Sequence, residues 1–243
     1  YPDISRNKTG NFILNPGNNS FTIEAHVKIP ELANNDQVFF QKKESENSMI
    51  NHITLLVTSS HLTNTADVLF SISSGSNYLN VKAPIVKGKF NHITAVYNRH
   101  DSTSTLYINT SSFSSYTTQK FDNLNFSSNF LTIGSGSNFR SGSDPSDVFH
   151  NVEFTGSIDE FRYFKSALSG SDIKKYRYKS LDFNALTENK KDKNLTLYYK
   201  FNEPYGTYNG NAVVFDHSGN SLHSSITNFL DVCRLTGSDN PVL

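Results

Sequence analysis

The clearest pattern in the sequence is an alternation of apolar and polar residues over short stretches. In 20–29, SFTIEAHVKI, every second residue from Phe21 to Ile29 is apolar, and polar residues stand between them. This period of two predicts a β-strand with one face toward a core. Other short apolar stretches, separated by turn residues, predict further strands at 11–14, 38–41, 53–58, 68–73, 78–81, 89–98, 105–109, 131–134, 195–202 and 212–215. Many short strands of this kind are typical of a sandwich or jelly roll.

One segment of the chain, 156–178, carries a helix signal after a predicted strand. Ser169 is suited to be the N-cap, Asp172 follows three residues later, and two lysines lie toward the other end. We therefore predict an all-β fold of two packed antiparallel sheets, with one short helix near residues 169–178.

Composition and charge narrow the possible partners. The chain has 243 residues, of which 36% are hydrophobic and 18% charged, and its 22 basic residues balance its 22 acidic ones. A chain without net charge has no overall electrostatic attraction for nucleic acid. The sequence also contains no apolar stretch of about 18 residues, so we expect no membrane span. A lone cysteine, Cys233, excludes an internal disulfide framework. Because the first residue is Tyr, we expect a processed chain or a piece of a longer one.

Three motifs resemble those of one family. The segment 156–173 follows the pattern G-x-I-D-E-x-R-x-aromatic and then A-L-S-x-x-D-I. The stretch 20–29 resembles a strand in which Trp commonly stands where this chain has His26, and 89–98 resembles one in which Phe90 replaces a Trp and His92 is kept. All three are similar to laminin-G-like, or pentraxin-like, jelly rolls of the concanavalin A-like lectin/glucanase superfamily. The resemblance implies the fold more specifically than the function, because one fold hosts many functions.

The C-terminal region resembles the part that opens a domain in this family. It contains LTLYYKFN at 195–202 and DHSGNSLH at 216–223, and in this chain both come last. Residues 1–185 are then the jelly roll, and 186–243 either complete the same sandwich or begin a next module. We favour the first interpretation, with 187–194 as the connecting loop.

The resemblance also implies candidate chemistry. Glucanases of the superfamily carry alternating carboxylates on one strand, and this chain has no such run. Asp159 and Glu160 are adjacent, so a regular strand would point them to opposite faces, and we expect no enzyme. Some family members hold one Ca²⁺, which here implies Asp159 and Asp216 as ligands with Asn220 nearby. The alternative is that Asp216 makes an Asx-turn and Asp159 hydrogen-bonds backbone.

A polar loop at 135–146 is a candidate sugar-binding rim, with Arg140, Asp144 and Asp147 as its ligand-binding residues. A solvent loop is the alternative. The pair Lys42-Lys43 is interpreted as solvated, and single histidines such as His26 and His92 are more often ordinary strand residues than metal ligands. The chain lacks Trp, the residue most often used to stack a sugar ring.

Two functional hypotheses follow. The first is a non-catalytic recognition module that binds a glycan or a surface protein, in an extracellular, cell-surface or virion setting. The second is a structural module of a large assembly, such as a virion, that is held by contacts with other protein copies.

Overall fold

The structure is a computed structural model that describes residues 13–60, 62–109, 111–116, 121–126, 131–150, 153–182, 184, 186–187, 193–203 and 212–226. In chain order its elements are β1 (Phe21–Lys28), β2 (Gln37–Lys43), β3 (His52–Ser59), β4 (Thr65–Ser74), β5 (Asn77–Val86), β6 (Phe90–Asn98), β7 (Thr103–Ile108), β8 (Ser111–Tyr116), β9 (Leu131–Ile133), β10 (Phe139–Arg140), β11 (Val148–Phe149), β12 (Ser157–Phe164), α1 (Gly170–Tyr176), β13 (Leu195–Tyr199), β14 (Ala212–Val214) and β15 (Ser224–Ile226). The predicted fold class and the helix near 169–178 are confirmed. The predicted strand at 11–14 is wrong for its described part, because Ile13 and Leu14 are not extended.

Two antiparallel sheets form the sandwich. The six-stranded sheet has the order β13-β12-β1-β6-β7-β8, and the five-stranded sheet has the order β5-β4-β3-β2-β9. Aromatic rings from the two sheets meet between them: Phe40 stacks on Phe161 at 5.8 Å, and Phe21 meets Phe70 edge-on at 6.3 Å. The apolar residues of β1 are buried in this core, as the alternation predicts. No helix in the described part of the chain is long and apolar enough to cross a membrane.

Helix α1 covers the outer face of the six-stranded sheet. It begins with a capping box, in which the Ser169 side chain accepts from the Asp172 amide and the Asp172 carboxylate accepts from the Ser169 amide. Its Ile173 is buried in an apolar cluster on that face together with Val96, Phe164, Leu168, Leu181, Leu195 and Tyr198. The polar side of β1 is buried by this cover, so β1 is enclosed on both faces.

A β-bulge in β12 changes where its acidic residues point. The register with β1 shifts between His26, which pairs with Asp159, and Glu24, which pairs with Arg162, and Glu160 has a φ of +51°. Asp159 therefore shares the outer face with its partner His26, and Glu160 reaches the same face to contact Arg162. The expectation that Asp159 and Glu160 point to opposite faces is wrong, because it assumed a regular strand.

Arg162 is the centre of a buried polar network on this face, and it is 1% exposed. One guanidinium nitrogen donates to the Glu24 carboxylate at 2.7 Å and to the Tyr176 carbonyl at 3.2 Å. The other donates to the Glu160 carboxylate at 2.6 Å and to the Lys179 carbonyl. Burial alone would raise the pKa of Glu24, but the charge of Arg162, the hydrogen bond and charge of His92 and the charge of His26 together outweigh burial and lower this pKa to about 2. One side chain thus ties β1, β12, the end of α1 and the segment after it together.

The strand β13 forms an edge of the six-stranded sheet by pairing with β12. The Tyr198 hydroxyl of β13 donates to the Glu160 carboxylate and extends the network. Further along, Asp216 forms a bridge with Tyr199 on the other side of β13. The division of the chain at residues 185 and 186 stays a prediction. Most of the predicted connecting loop, and Cys233, lie outside the described residues.

Replacing Arg162 by Met is expected to lower the free energy of unfolding by about 3–5 kcal/mol, because two buried carboxylates lose their counter-charge. Lys82→Met is the control, since it removes an exposed ion pair between Lys82 and Asp67 at 3.0 Å and is expected to cost less than about 1 kcal/mol. Urea unfolding at neutral pH measures both values. A loss for Arg162→Met as small as that for Lys82→Met would contradict the role given to Arg162.

Acid is expected to destabilise the protein through His26, whose ring lies 4.8 Å from that of His92 beneath the helical cover. Burial, and then the neighbouring His92, lowers the pKa of His26 from 6.5 to about 3. Between about pH 6.5 and pH 3, His26 therefore binds a proton in the unfolded chain that it does not bind in the folded chain. The contribution is complete above about pH 6.5 and declines as the pH falls toward 3. Burial lowers the pKa of His52 to about 4, so His52 also makes the protein less stable as the pH falls. Asp159 has the opposite effect, because its pKa is raised to about 6 and the folded chain binds its proton more tightly.

The variant His26→Leu isolates this effect. It is expected to lose less stability than the wild type between about pH 6.5 and pH 4, as measured by urea unfolding at each pH. His100→Leu serves as the control, because the His100 side chain is 91% exposed. Identical pH profiles for the wild type and His26→Leu would refute the assignment.

Candidate functional site

A polar pocket opens on the outer face of the five-stranded sheet, beside the pair β2 and β9. The register of β2 with β3 shifts at Phe39, so both Phe39 and Phe40 lie in the core. After this bulge, alternation places Gln41 and Lys43 on the outer face. The pocket has a volume of about 280 Å³ and is lined by Gln41, Lys43, Glu46, Thr132, Ser135, Gly136 and Ser137.

The hairpin of β10 and β11 folds over the same outer face and fixes the segment that forms the pocket wall. Its rings Phe139 and Phe149 stack at 5.2 Å. The His52 imidazole donates to the Arg140 carbonyl at 2.9 Å and holds the hairpin to β3. The apolar side chains that receive the two rings are Val38, Leu56 and Leu69.

Gln41 uses its whole amide to hold the wall. Its Nε2 donates to the Ser137 carbonyl at 3.0 Å and to Thr54 Oγ1 at 3.2 Å, and its Oε1 accepts from the Ser137 amide at 2.7 Å. The wall lies close to the sheet, because a Cβ at Gly136 would stand 2.6 Å from Val38 Cγ1. Only glycine permits this approach without a shift of Val38 or of the wall. The hydrogen bonds of Gln41 hold the wall in place before any ligand binds.

Lys43 also holds the wall, and it is 2% exposed. Its ammonium donates to Ser137 Oγ and the Asn138 carbonyl, both at 2.8 Å, and to the Glu46 carbonyl at 3.2 Å. Burial lowers the pKa of Lys43 to about 8, and the negative charge of Glu46 opposes this shift. The lining residues therefore offer an ammonium, a carboxylate, hydroxyls and an amide, and none of them is aromatic.

The sequence interpretation of Lys42-Lys43 as a solvated pair is wrong, because both residues are buried. Gln41 and Lys43 were missed as site residues. The available signal was their spacing of two on a predicted strand, which places both side chains on one face. Their cover comes from residues almost 100 positions later, which local patterning cannot reveal.

The predicted rim residues Arg140, Asp144 and Asp147 lie together in the hairpin of β10 and β11. Asp144 Oδ1 accepts from the Ser146 amide at 2.8 Å and from its hydroxyl at 2.7 Å, which lowers the pKa of Asp144. The backbone of Asp147 bonds to that of Ser141 and Asp144. The three residues are not among those that line the pocket, whereas the start of the same loop is. Ligand binding by them stays a prediction.

Asp216 organises the loop that follows β14. Its buried carboxylate accepts four hydrogen bonds, from the Tyr198 amide at 3.1 Å, the Ser218 amide and hydroxyl at 2.9 Å each, and the Leu222 amide at 3.0 Å. The bond to the Ser218 amide is an Asx-turn. Four donors fill the roughly four acceptor positions of a carboxylate, so they compete directly with a cation.

The other implied calcium ligands are engaged separately. Asp159 Oδ1 accepts from the Glu160 amide at 3.0 Å, and burial together with the charge of Glu160 raises the pKa of Asp159 to about 6. Asn220 donates to the Thr196 carbonyl at 2.8 Å. No hydrogen bond of the described residues joins Asp159 to Asp216, nor do these residues contain a group of three His, Cys, Asp or Glu side chains that could hold a metal ion. This arrangement does not fit a calcium ligand set, and calcium binding stays a prediction.

Replacing Asp216 by Ala is expected to lower the free energy of unfolding by about 2–3 kcal/mol, because buried donors lose a charged acceptor. We expect the same loss in calcium chloride and in EDTA, since hydrogen bonds already occupy the carboxylate. Asp144→Ala, at an exposed hairpin position, is the control and is expected to be nearly neutral. A loss for Asp216→Ala that appears only in calcium would show that Asp216 binds the metal.

Comparison with known proteins places the fold in context. Residues 5–174 match a laminin G family model that is described as the concanavalin A-like lectin/glucanases superfamily. Among curated protein sequences, none matches this chain significantly.

Several solved structures are similar in fold. A "putative carbohydrate binding protein" from Bacteroides ovatus is 17% identical, with a TM-score of 0.57 over 88% of this chain and 53% of that one. The NanB sialidase from Streptococcus pneumoniae is 20% identical, with a TM-score of 0.50 over 65% of this chain and 24% of that one. A pentraxin from Limulus polyphemus is 15% identical, with a TM-score of 0.47 over 66% of this chain and 70% of that one. The chain thus spans about half of the Bacteroides protein and about a quarter of NanB. From the family match, this chain belongs to the concanavalin A-like lectin/glucanases superfamily.

Proposed function

We propose that this chain is a non-catalytic recognition module that binds a glycan in the polar pocket beside β2 and β9. The observation that carries the proposal is the preorganised wall, in which Gln41 binds the backbone of Ser137 and Lys43 binds its hydroxyl. A site whose polar groups are already held in place binds without the cost of ordering them. The superfamily contains lectins. The Bacteroides protein with a similar fold is described as a "putative carbohydrate binding protein", which supports a glycan as the class of ligand.

The size and lining of the pocket agree with a small polar ligand. Its volume of about 280 Å³ lies just below the range for small-molecule sites, roughly 300–1,000 Å³. This favours recognition of one or two sugar rings. Because no lining residue is aromatic, we expect hydrogen bonds to sugar hydroxyls to provide the specificity. Thr132, Ser135 and Glu46 present hydroxyl and carboxylate groups for these bonds.

The carboxylates of the pocket and those bound to Arg162 support binding rather than glycoside hydrolysis. Hydrolysis needs two carboxyl groups about 5–5.5 Å or 6.5–9.5 Å apart across the scissile bond, one of them protonated at working pH. Glu24 and Glu160 are instead both bound to Arg162, and a pKa near 2 keeps Glu24 ionised. The pocket itself is lined by one carboxylate, Glu46. An acid and base pair is therefore not assembled there.

A second candidate function, a structural module held by protein contacts, is favoured by one observation. Leu32 and Leu62 are 84% and 81% exposed. The buried ammonium of Lys87 ties their loops together by donating to the carbonyls of Ala33 at 3.0 Å and Ser60 at 2.8 Å. Exposed apolar side chains on fixed loops suit a protein partner. An extracellular, cell-surface or virion location is part of both proposals.

A glycan array probed in calcium and in EDTA tests the main proposal, followed by calorimetry on the glycans that bind. Glu46→Ala is expected to weaken binding about tenfold, since it removes a charged acceptor worth roughly 1.5 kcal/mol. Glu153→Ala, which removes an exposed carboxylate outside the pocket, is the matched control and is expected to bind like the wild type. No binding to any glycan in either condition would overturn the proposal and leave the structural module.

A further inference from the structure

The positive charge of Lys43 is bonded only to neutral acceptors in the described part of the pocket. The ammonium lies in a buried residue, and its three hydrogen bonds go to two backbone carbonyls and a hydroxyl, which are all neutral acceptors. Buried charges in proteins are normally paired with an opposite charge or a metal. Among the described residues, no carboxylate forms an ion pair with the Lys43 ammonium, and the residue lines a pocket.

The negative charge that acts on Lys43 comes from Glu46. The Glu46 atom that Lys43 contacts is the backbone carbonyl, and the residue itself is exposed. Water and salt screen the charge of an exposed carboxylate far more than that of a buried ammonium. The pocket therefore has a positive end at Lys43 beneath a solvated acidic rim at Glu46.

We infer that the glycan bound in this pocket carries a carboxylate, as uronic acids do, and that the carboxylate pairs with Lys43. The longest of the three Lys43 bonds, that to the Glu46 carbonyl at 3.2 Å, is the one a ligand carboxylate would replace. The sugar hydroxyls would then donate hydrogen bonds to the Glu46 carboxylate, and would donate to or accept from the Ser135 hydroxyl. A single ammonium balances the single charge of a carboxylate. This inference rests on the proposed glycan binding and names the class of glycan.

The test compares a galacturonic acid disaccharide with its methyl ester, which has the same rings but no charge. Calorimetry is expected to show that the wild type binds the acid at least about tenfold more tightly than the ester, a preference of about 1.4 kcal/mol. Lys43→Met is expected to abolish this preference, and Lys89→Met, which removes an exposed lysine elsewhere, is expected to preserve it. Because the pKa of Lys43 is lowered to about 8, binding of the acid near pH 8 is expected to take up protons, visible as a heat that depends on the buffer.

The outcomes separate this inference from the proposed function. Equal affinity for acid and ester, or binding of neutral glycans alone, overturns the acidic ligand and leaves glycan binding in place. Failure of every glycan to bind overturns both. Where Lys43→Met does not fold, Lys43→Arg keeps the charge and is expected to keep the preference. The wild-type preference is also expected to fall with added salt, and a preference that does not change with salt contradicts a charge pair.

Discussion

The need to neutralise the buried guanidinium of Arg162 shapes one whole side of this molecule. A cation in this position is tolerable only if opposite charges lie beside it and most of its donors find acceptors. Two carboxylates and two backbone carbonyls accept from its two terminal nitrogens, whereas its Nε has no hydrogen-bond partner among the described residues. These acceptors come from β1, β12, the end of α1 and the segment after it. The left-handed backbone at Glu160 follows from the same requirement, since the bulge turns this side chain toward Arg162. Local strain in β12 is thus offset by the ion pairs that it makes possible.

This arrangement makes the two outer faces of the sandwich different. The six-stranded sheet is covered by α1 and the apolar cluster around Ile173, so polar residues of its outer face such as His26 and His92 are buried. The five-stranded sheet carries Gln41 and Lys43 on its outer face, and a short hairpin covers it only in part. The proposed ligand site therefore lies on the face that the helix does not occupy. Family membership is compatible with either face, and the assignment comes from the geometry of this chain.

Much of the fold can be predicted from the sequence, because it depends on residues that are close together along the chain. The alternation of 21–29 gives the buried face of β1, and Ser169 with Asp172 gives the start of α1. Phe and Tyr fill the core in a chain without Trp, as the interdigitated rings of Phe21, Phe40 and Phe161 show. These features need only neighbours within a few positions.

The features that sequence reasoning missed depend on distant parts of the chain. The burial of Lys43 requires a wall formed by residues 135–138, and β10 and β11 are too short, at two residues each, to leave a periodic signal. The bulge at Glu160 is set by a guanidinium two residues away and a partner strand more than 130 residues earlier. The resemblance to the family implies that Asp216 is a metal ligand, and only the structure shows the four groups that donate hydrogen bonds to its carboxylate. Chemistry at a site depends on what covers it, which a linear pattern does not contain.

Native-state hydrogen exchange in the unmodified protein tests most directly whether Arg162 joins the helix and the sheet into one unit. The amides of Ile173 and Arg177, which donate to Ser169 and Ile173 in the helix, report on one side of the network. The paired amides of β1 and β12 report on the other side. We predict that both sets open with the same free energy, close to that of global unfolding. Exchange of the helix amides at a much lower free energy, while the strands stay protected, would contradict the account.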